Sequence, residues 1–193
     1  MDRFENSLKE ALGFGKKDLI EINSGLFINA DGSQSSEYSY ASMAKIAALA
    51  AGGDLDIIIA DAKTLEHYES QGAFLDLKEF LPQDLLERAE KEDLFFYTDN
   101  EKGQSTAAAI SLEPTAFSDM TGVSIQPPYL AVIASSQHTE DTLRAIQWLF
   151  DQKKLLLLPF QGFLPVRRRP CFLLQSRRRV WQKGLRWNKK EWL

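Results

Sequence analysis

The chain has little that would staple it covalently or hold it in a bilayer. A single cysteine, Cys171, in 193 residues excludes an intramolecular disulfide and a cysteine-rich metal site. No run reaches the ~18 apolar residues of a membrane-spanning helix. The longest candidate, Leu155 to Val166, is interrupted by Pro159, Gln161, Gly162 and Pro165. The two histidines, His67 and His138, have no second histidine or cysteine at metal-ligand spacing. There is no Gly-x-Ser-x-Gly elbow, no phosphate-binding loop and no HExxH. No metal, cofactor or catalytic residue is therefore expected. The opening Met1-Asp2-Arg3-Phe4-Glu5 leads into an amphipathic stretch, so neither a signal peptide nor an anchor is expected in it.

What is present is an ordinary globular composition, 44% apolar and 26% charged, which excludes a collagen-like or wholly disordered chain. The formal net charge of −4 conceals a sharp asymmetry. Residues 1–152 hold 26 acidic and 11 basic side chains, a balance of −15. Residues 153–193 hold 12 basic and one acidic, a balance of +11, with three of the four tryptophans. Two unlike pieces are expected: a domain over 1–152 and a basic, Trp-rich tail over 153–193.

Within the first piece helical and strand patterns alternate. Phe4, Leu8, Ala11 and Leu12 fall at helical spacing. Residues 18–29 read as extended chain and 30–36 as a loop. Met43, Ile46, Ala47 and Ala50 line one face of a helix over 40–51, which Gly52-Gly53 cap. Leu55 to Ala60 is a near-continuous apolar run, the pattern of a central strand buried on both faces. A helix over 62–70 follows, then one opened by Pro82. Residues 94–98 and 105–112 read as strands around a turn at 99–103, 129–135 as a buried strand, and 139–150 as a closing helix. Such alternation predicts an α/β three-layer sandwich with a mixed, mostly parallel sheet. Ligands in that architecture sit beyond the carboxyl ends of the strands, which directs attention to Asp61 to Thr64 and to the loop after Ser135.

The stretch YASMAKIAALAAGGDLDIIIADAKTLEHYESQGAFLDLKEFLP, residues 40–82, resembles a segment of bacterial extracytoplasmic solute-binding proteins: helix, Ala-Gly, Asp-Leu-Asp strand, Ala-Asp, helix, Gly-Ala-Phe-Leu-Asp-Leu. YLAVIASSQHTEDTLRAIQWLF, residues 129–150, resembles a later strand and helix of the same family. The likeness spans roughly residues 4–151 and is nearest to small membrane-anchored variants from Gram-positive bacteria. It implies a periplasmic-binding-protein-like lobe of the second type, non-catalytic, outside the cytoplasm and associated with a membrane importer. The length is about that of one lobe. The expected ligand is a small polar solute such as a sugar, and the expected state is a monomer.

Five residues are candidates for contacting that solute: Tyr38, Tyr40, Asp61, Thr64 and Tyr68. Tyrosine faces stack on sugar rings and their hydroxyls hydrogen-bond, although interior tyrosines with a wet tip are commoner. Asp54, Asp56 and Asp61 bracket the central strand. They read either as a cation or hydroxyl site or as a solvated start with a helix-capping Asp61, and Asp56 as a residue leading into the strand. Ser135 and Ser136 beside His138 keep a small α/β hydrolase in view as an alternative.

In the tail, Arg167 to Arg169 and Arg177 to Arg179, interleaved with Trp181, Trp187 and Trp192, have the composition of a nucleic-acid or anionic-surface binder. The same composition fits a disordered arm, or an out-of-frame end beginning near Lys153-Lys154. The acidic first piece opposes binding to phosphate, so nucleic acid is not the leading expectation. Because the periodic apolar positions fall in 1–152, the core is expected there and the tail outside the globule.

Overall fold

Phe4, Leu8 and Leu12 turn one face of the first helix into the core, and alternation within each short strand sends neighbouring side chains to opposite faces of one sheet. The computed structural model describes residues 2–15, 17–28, 37–100, 102–152 and 170–177. In chain order the elements are α1 (Asp2–Ala11), β1 (Leu19–Phe27), α2 (Glu37–Ala51), β2 (Ile57–Ala60), α3 (Ala62–Glu69), α4 (Leu77–Phe80), α5 (Gln83–Lys91), β3 (Phe95–Asp99), β4 (Ser105–Ser111), α6 (Phe117–Thr121), β5 (Tyr129–Val132), α7 (Thr139–Asp151) and β6 (Pro170–Arg177).

The strands form a six-stranded sheet in the order β1-β6-β2-β5-β4-β3. Every pairing is antiparallel: β1 with β6, β6 with β2, β2 with β5, β5 with β4 and β4 with β3. The molecule is a small α/β domain, and the expected mostly parallel sheet is corrected. The physical reason lies in what a continuous apolar run reports. Ile57 and Ile59 pack with α1, α5 and α7, while Ile58 and Ala60 pack with α2 and α3. Helices on both faces make β2 apolar throughout whichever way its neighbours run, so the run measures two-sided burial and not strand direction. The spatial neighbours of β2 are the late strands β5 and β6, not the strand that follows α3 in sequence.

The second correction concerns the tail. Residues 170–177 are not outside the globule but form an interior strand, between β1 and β2. Leu173 is fully buried among α2 and α3, and Leu174 is buried among α1 and α7 on the other face. Each contributes about 1.5–3 kcal/mol of apolar burial. The remainder of the tail lies outside the described residues, as does the expected 30–36 loop.

Smaller features follow the sequence more closely. The β3–β4 turn is held by Asn100, whose Oδ1 accepts from the backbone N–H of Lys102 at 2.9 Å and of Gln104 at 3.0 Å. Pro82 sits one residue outside α5, at the N-cap, and not inside its first turn. The short α6 was not anticipated. Among the described residues no helix is long and apolar enough to cross a membrane.

Candidate functional site

Antiparallel pairing sorts the loops onto two rims of the sheet. Ile57 pairs with Val132 and Ala60 with Tyr129, so the end of β2 lies beside the start of β5. In a parallel sheet the carboxyl ends of β2 and β5 would share one rim. Here Asp61 to Thr64 occupy one rim, and the loop after Ser135 occupies the opposite rim beside the start of β2.

The Asp61 rim is open. Asp61 is the N-cap of α3, its Oδ1 accepting from the backbone N–H of Thr64 at 2.9 Å. The bland capping reading of Asp61 is thus realised in the geometry. Thr64 is buried under the first turn of α3. α2 runs back from this rim, and its start carries Tyr38 and Tyr40. The Tyr38 hydroxyl donates to the Gly25 carbonyl of β1 at 2.7 Å, near the end of that strand. Tyr38 and Tyr40 are 59% and 62% exposed, among the most exposed large side chains described. Tyr68 does not join them. It lies in the last turn of α3 and is buried with Ile46, Leu65 and Phe74. Four of the five candidates thus share a rim, two of them with accessible rings, and the fifth is a core residue.

The Asp56 rim is interlocked. Asp56 precedes β2 and is fully buried. Its backbone N–H donates to Leu174 of β6 at 3.3 Å, and its carbonyl accepts from Ile133 at 3.0 Å. Its Oδ1 accepts from Ser136 Oγ at 2.7 Å and lies 3.0 Å from His138 Nδ1. Ser136 Oγ in turn accepts from the His138 backbone N–H at 3.3 Å. Next to this, Ser135 Oγ donates to the Ala50 carbonyl at 2.6 Å, tying the same loop to the end of α2. One buried aspartate therefore joins the loop before β2 to the loop after β5 through its carboxylate and to the strand β6 through its backbone N–H.

In its neutral form His138 donates through Nδ1 to Asp56, which leaves Nε2 as the acceptor nitrogen. Serine, histidine and aspartate are all present, yet Ser136 gives its hydroxyl hydrogen to Asp56 and not to His138. A nucleophile activated by a base requires the serine–histidine hydrogen bond. The arrangement orients the ring and pins two loops. Asp56 could be found in the sequence as an acidic residue flanked by Leu55 and Ile57, but nothing local named its partners, which come from about eighty residues further on.

No group of three or more His, Cys, Asp or Glu among the described residues is placed to hold a metal ion. At the β3 edge, the Tyr97 hydroxyl beside the Lys78 ammonium, with Glu90 next to it, raises the Lys78 pKa above the ordinary lysine value. The arginine blocks of the tail fall outside the described residues, save Arg177 at the end of β6. Comparison with protein-family models, with curated proteins and with solved structures returned no match.

Proposed function

We propose that this chain is a non-catalytic solute-binding-like domain whose ligand, a small polar solute such as a sugar, seats on the Asp61 rim against Tyr38 and Tyr40. The observation that carries the reading is the arrival of two exposed tyrosine rings at the rim where α3 begins. Aromatic faces accept the C–H side of a sugar ring and phenol hydroxyls reach its oxygens. The resemblance of residues 40–82 to extracytoplasmic solute-binding proteins supports the same reading. Association with a membrane importer outside the cytoplasm belongs to it as well.

A panel of sugars, amino acids and oligopeptides, followed by thermal unfolding of the full chain, tests the proposal. A solute present at about 100 times its dissociation constant adds about 2.7 kcal/mol of stability. The chain carrying both Tyr38→Ala and Tyr40→Ala loses only the Tyr38–Gly25 hydrogen bond from its ligand-free stability, about 1 kcal/mol, and loses the shift. Absence of any shift at millimolar concentration sinks the reading. So does a shift that survives both substitutions.

A further inference from the structure

The two edges of the sheet are built differently. β3, at one edge, is five residues long, carries a bulge between Phe96 and Tyr97, and has the Lys78 ammonium 5.4 Å from the centre of the Tyr97 ring. A bulge and a nearby charge blunt an edge strand against further pairing. β1, at the other edge, is nine residues long with no lysine or proline, and its bulge lies beyond Asn23, so Leu19 to Asn23 form a regular stretch. Among the described residues β1 has a strand on one side only, and four large apolar side chains are exposed. Two of those four flank β1: Leu19, 44% exposed, at its start, and Tyr38, 59% exposed, tied by its hydroxyl to Gly25 near its end. We infer that β1 is a docking edge for a second copy of this chain, giving a two-fold dimer with a continuous sheet in place of the monomer expected from the resemblance. The inference does not rest on the solute reading.

The backbone of β1 sets out the docking groups. The Leu174 carbonyl accepts from the Asp56 N–H and so turns toward β2. A residue of an antiparallel ladder turns its N–H and carbonyl the same way, and its neighbours turn the other way. Leu173 and Gln175 therefore face Asn23 and Glu21 of β1. Ile22, opposite Leu174, and Ile20, opposite Ser176, present their N–H and carbonyl groups on the other side of β1. Charge selects the register in which two such edges meet. A two-fold axis through Glu21 sets the two Glu21 side chains directly opposite each other, which is unfavourable. An axis through Ile22 pairs the two Ile22 residues with each other and Ile20 with Ser24, and it puts Glu21 opposite Asn23.

The same register matches the side chains. The axis is perpendicular to the sheet, so α2 of both copies stays on one face. Ile20 packs on the α1 side, so alternation places Leu19 and Glu21 on the α2 side. Leu19 of one copy falls opposite Gly25 of the other, where the Tyr38 ring is anchored, and the two exposed apolar groups cover each other. α2 runs antiparallel to β1, and Lys45 shares the flank of Tyr38 two turns on. Seven residues of helix and three of strand each span about 10 Å, which places the exposed Lys45 over Ile22 and within reach of the exposed Glu21 of the other copy. Apolar contact and charge complementarity thus follow from a single axis. Tyr40, two positions from Tyr38, lies on the other flank of α2 and outside the interface.

The test is sedimentation of the full chain, without solute, over a concentration series. A species of twice the 21.9 kDa chain mass should predominate above about 100 μM. Lys45→Glu should weaken dimerisation about tenfold, and Glu21→Lys added to it should restore the affinity, because the pair is then only reversed. Leu19→Ser should weaken it about threefold to tenfold. All three side chains are exposed, so unchanged unfolding midpoints at low concentration verify the fold. Tyr97→Ala, at the β3 edge, should leave dimerisation as it is. Amide exchange reads the edge itself: Ile20 and Ile22 should slow as concentration rises, while Glu21 and Asn23 are slow throughout. A monomer at about 500 μM overturns the inference, as does association that continues past the dimer. So does a Lys45→Glu loss that Glu21→Lys fails to reverse, or exchange at Ile20 and Ile22 that ignores concentration. The solute panel, run at low protein concentration, is independent of all these results.

Discussion

The two rims of the sheet are built on opposite principles. At the Asp56 rim a fully buried carboxylate collects a hydroxyl and an imidazole, and its own backbone joins β6 to the end of β5. At the Asp61 rim the carboxylate caps its own helix over three residues, and the large side chains nearby stand in solvent. One aspartate secures contacts between distant parts of the chain; the other secures a local turn. Polar groups at the Asp56 rim are satisfied within the chain, and the Asp61 rim leaves the Tyr38 and Tyr40 rings exposed. The comparison also shows why strand direction mattered more to the site than strand identity: antiparallel pairing of β2 and β5 sends the two candidate loops to different rims.

Removing β6 should have the largest effect on the Asp56 rim. A chain ending at Gln152 loses an interior strand, exposes flanks of β1 and β2, and leaves the Asp56 backbone N–H without its Leu174 partner. We expect the cooperative unfolding transition to disappear, read by calorimetry and by loss of near-ultraviolet dichroism. Retention of a sharp transition near the full-length midpoint would place the core in residues 1–152 alone. Next in size is Asp56→Ala, which removes a buried carboxylate and the partner of the half-buried Ser136 hydroxyl and His138 ring; a loss of about 2–3 kcal/mol in urea unfolding is expected. Gly53→Ala probes the same rim from the α2 side. Gly53 has φ +67°, and an added Cβ would stand 2.6 Å from the Gln137 amide nitrogen. The backbone alone costs about 1–2 kcal/mol there, and the flexible Gln137 side chain can yield. Asp61→Ala at the open rim should cost only about 1 kcal/mol, the value of one helix cap. A larger loss for Asp61→Ala than for Asp56→Ala would invert the assignment of the rims.

Much of the element pattern was legible in the sequence, because it depends on short-range periodicity. The α2 helix, the Gly52-Gly53 stop, β2, the β3–β4 pair and α7 all follow from spacing of apolar residues and turn chemistry over a few positions, but the inner face of α2 is rotated from the expected one: Ser39, Ser42 and Ile46 are buried and Ala47 is exposed. Strand direction was not legible. An apolar run such as Ile57 to Ala60 carries information about burial on each face and none about which distant strand lies alongside. β6 was hidden for a related reason. Pro170 to Arg177 sits between two arginine blocks, and its buried Leu173 and Leu174 are too few to stand out against that charge. Charge bookkeeping describes solubility and partners, not fold, and here it drew the boundary in the wrong place. At the site, Asp61 and its cap were local and readable. Tyr68 lies one turn from Leu65 on α3, a spacing that marks the inward face, and both are buried in the core. Asp56 acts through residues brought in by tertiary structure, which no window of sequence contains.

Native-state hydrogen exchange on the full chain tests most directly whether the last strand and the Asp56 rim hold the fold while the Asp61 rim opens. The amides of Leu173 and Leu174 in β6 should exchange as slowly as those of Ile58 and Ile59 in β2, through global unfolding, and those in the first turns of α2 and α3 should exchange faster through local opening. Rapid exchange throughout residues 170–177, with β2 still protected, would contradict it.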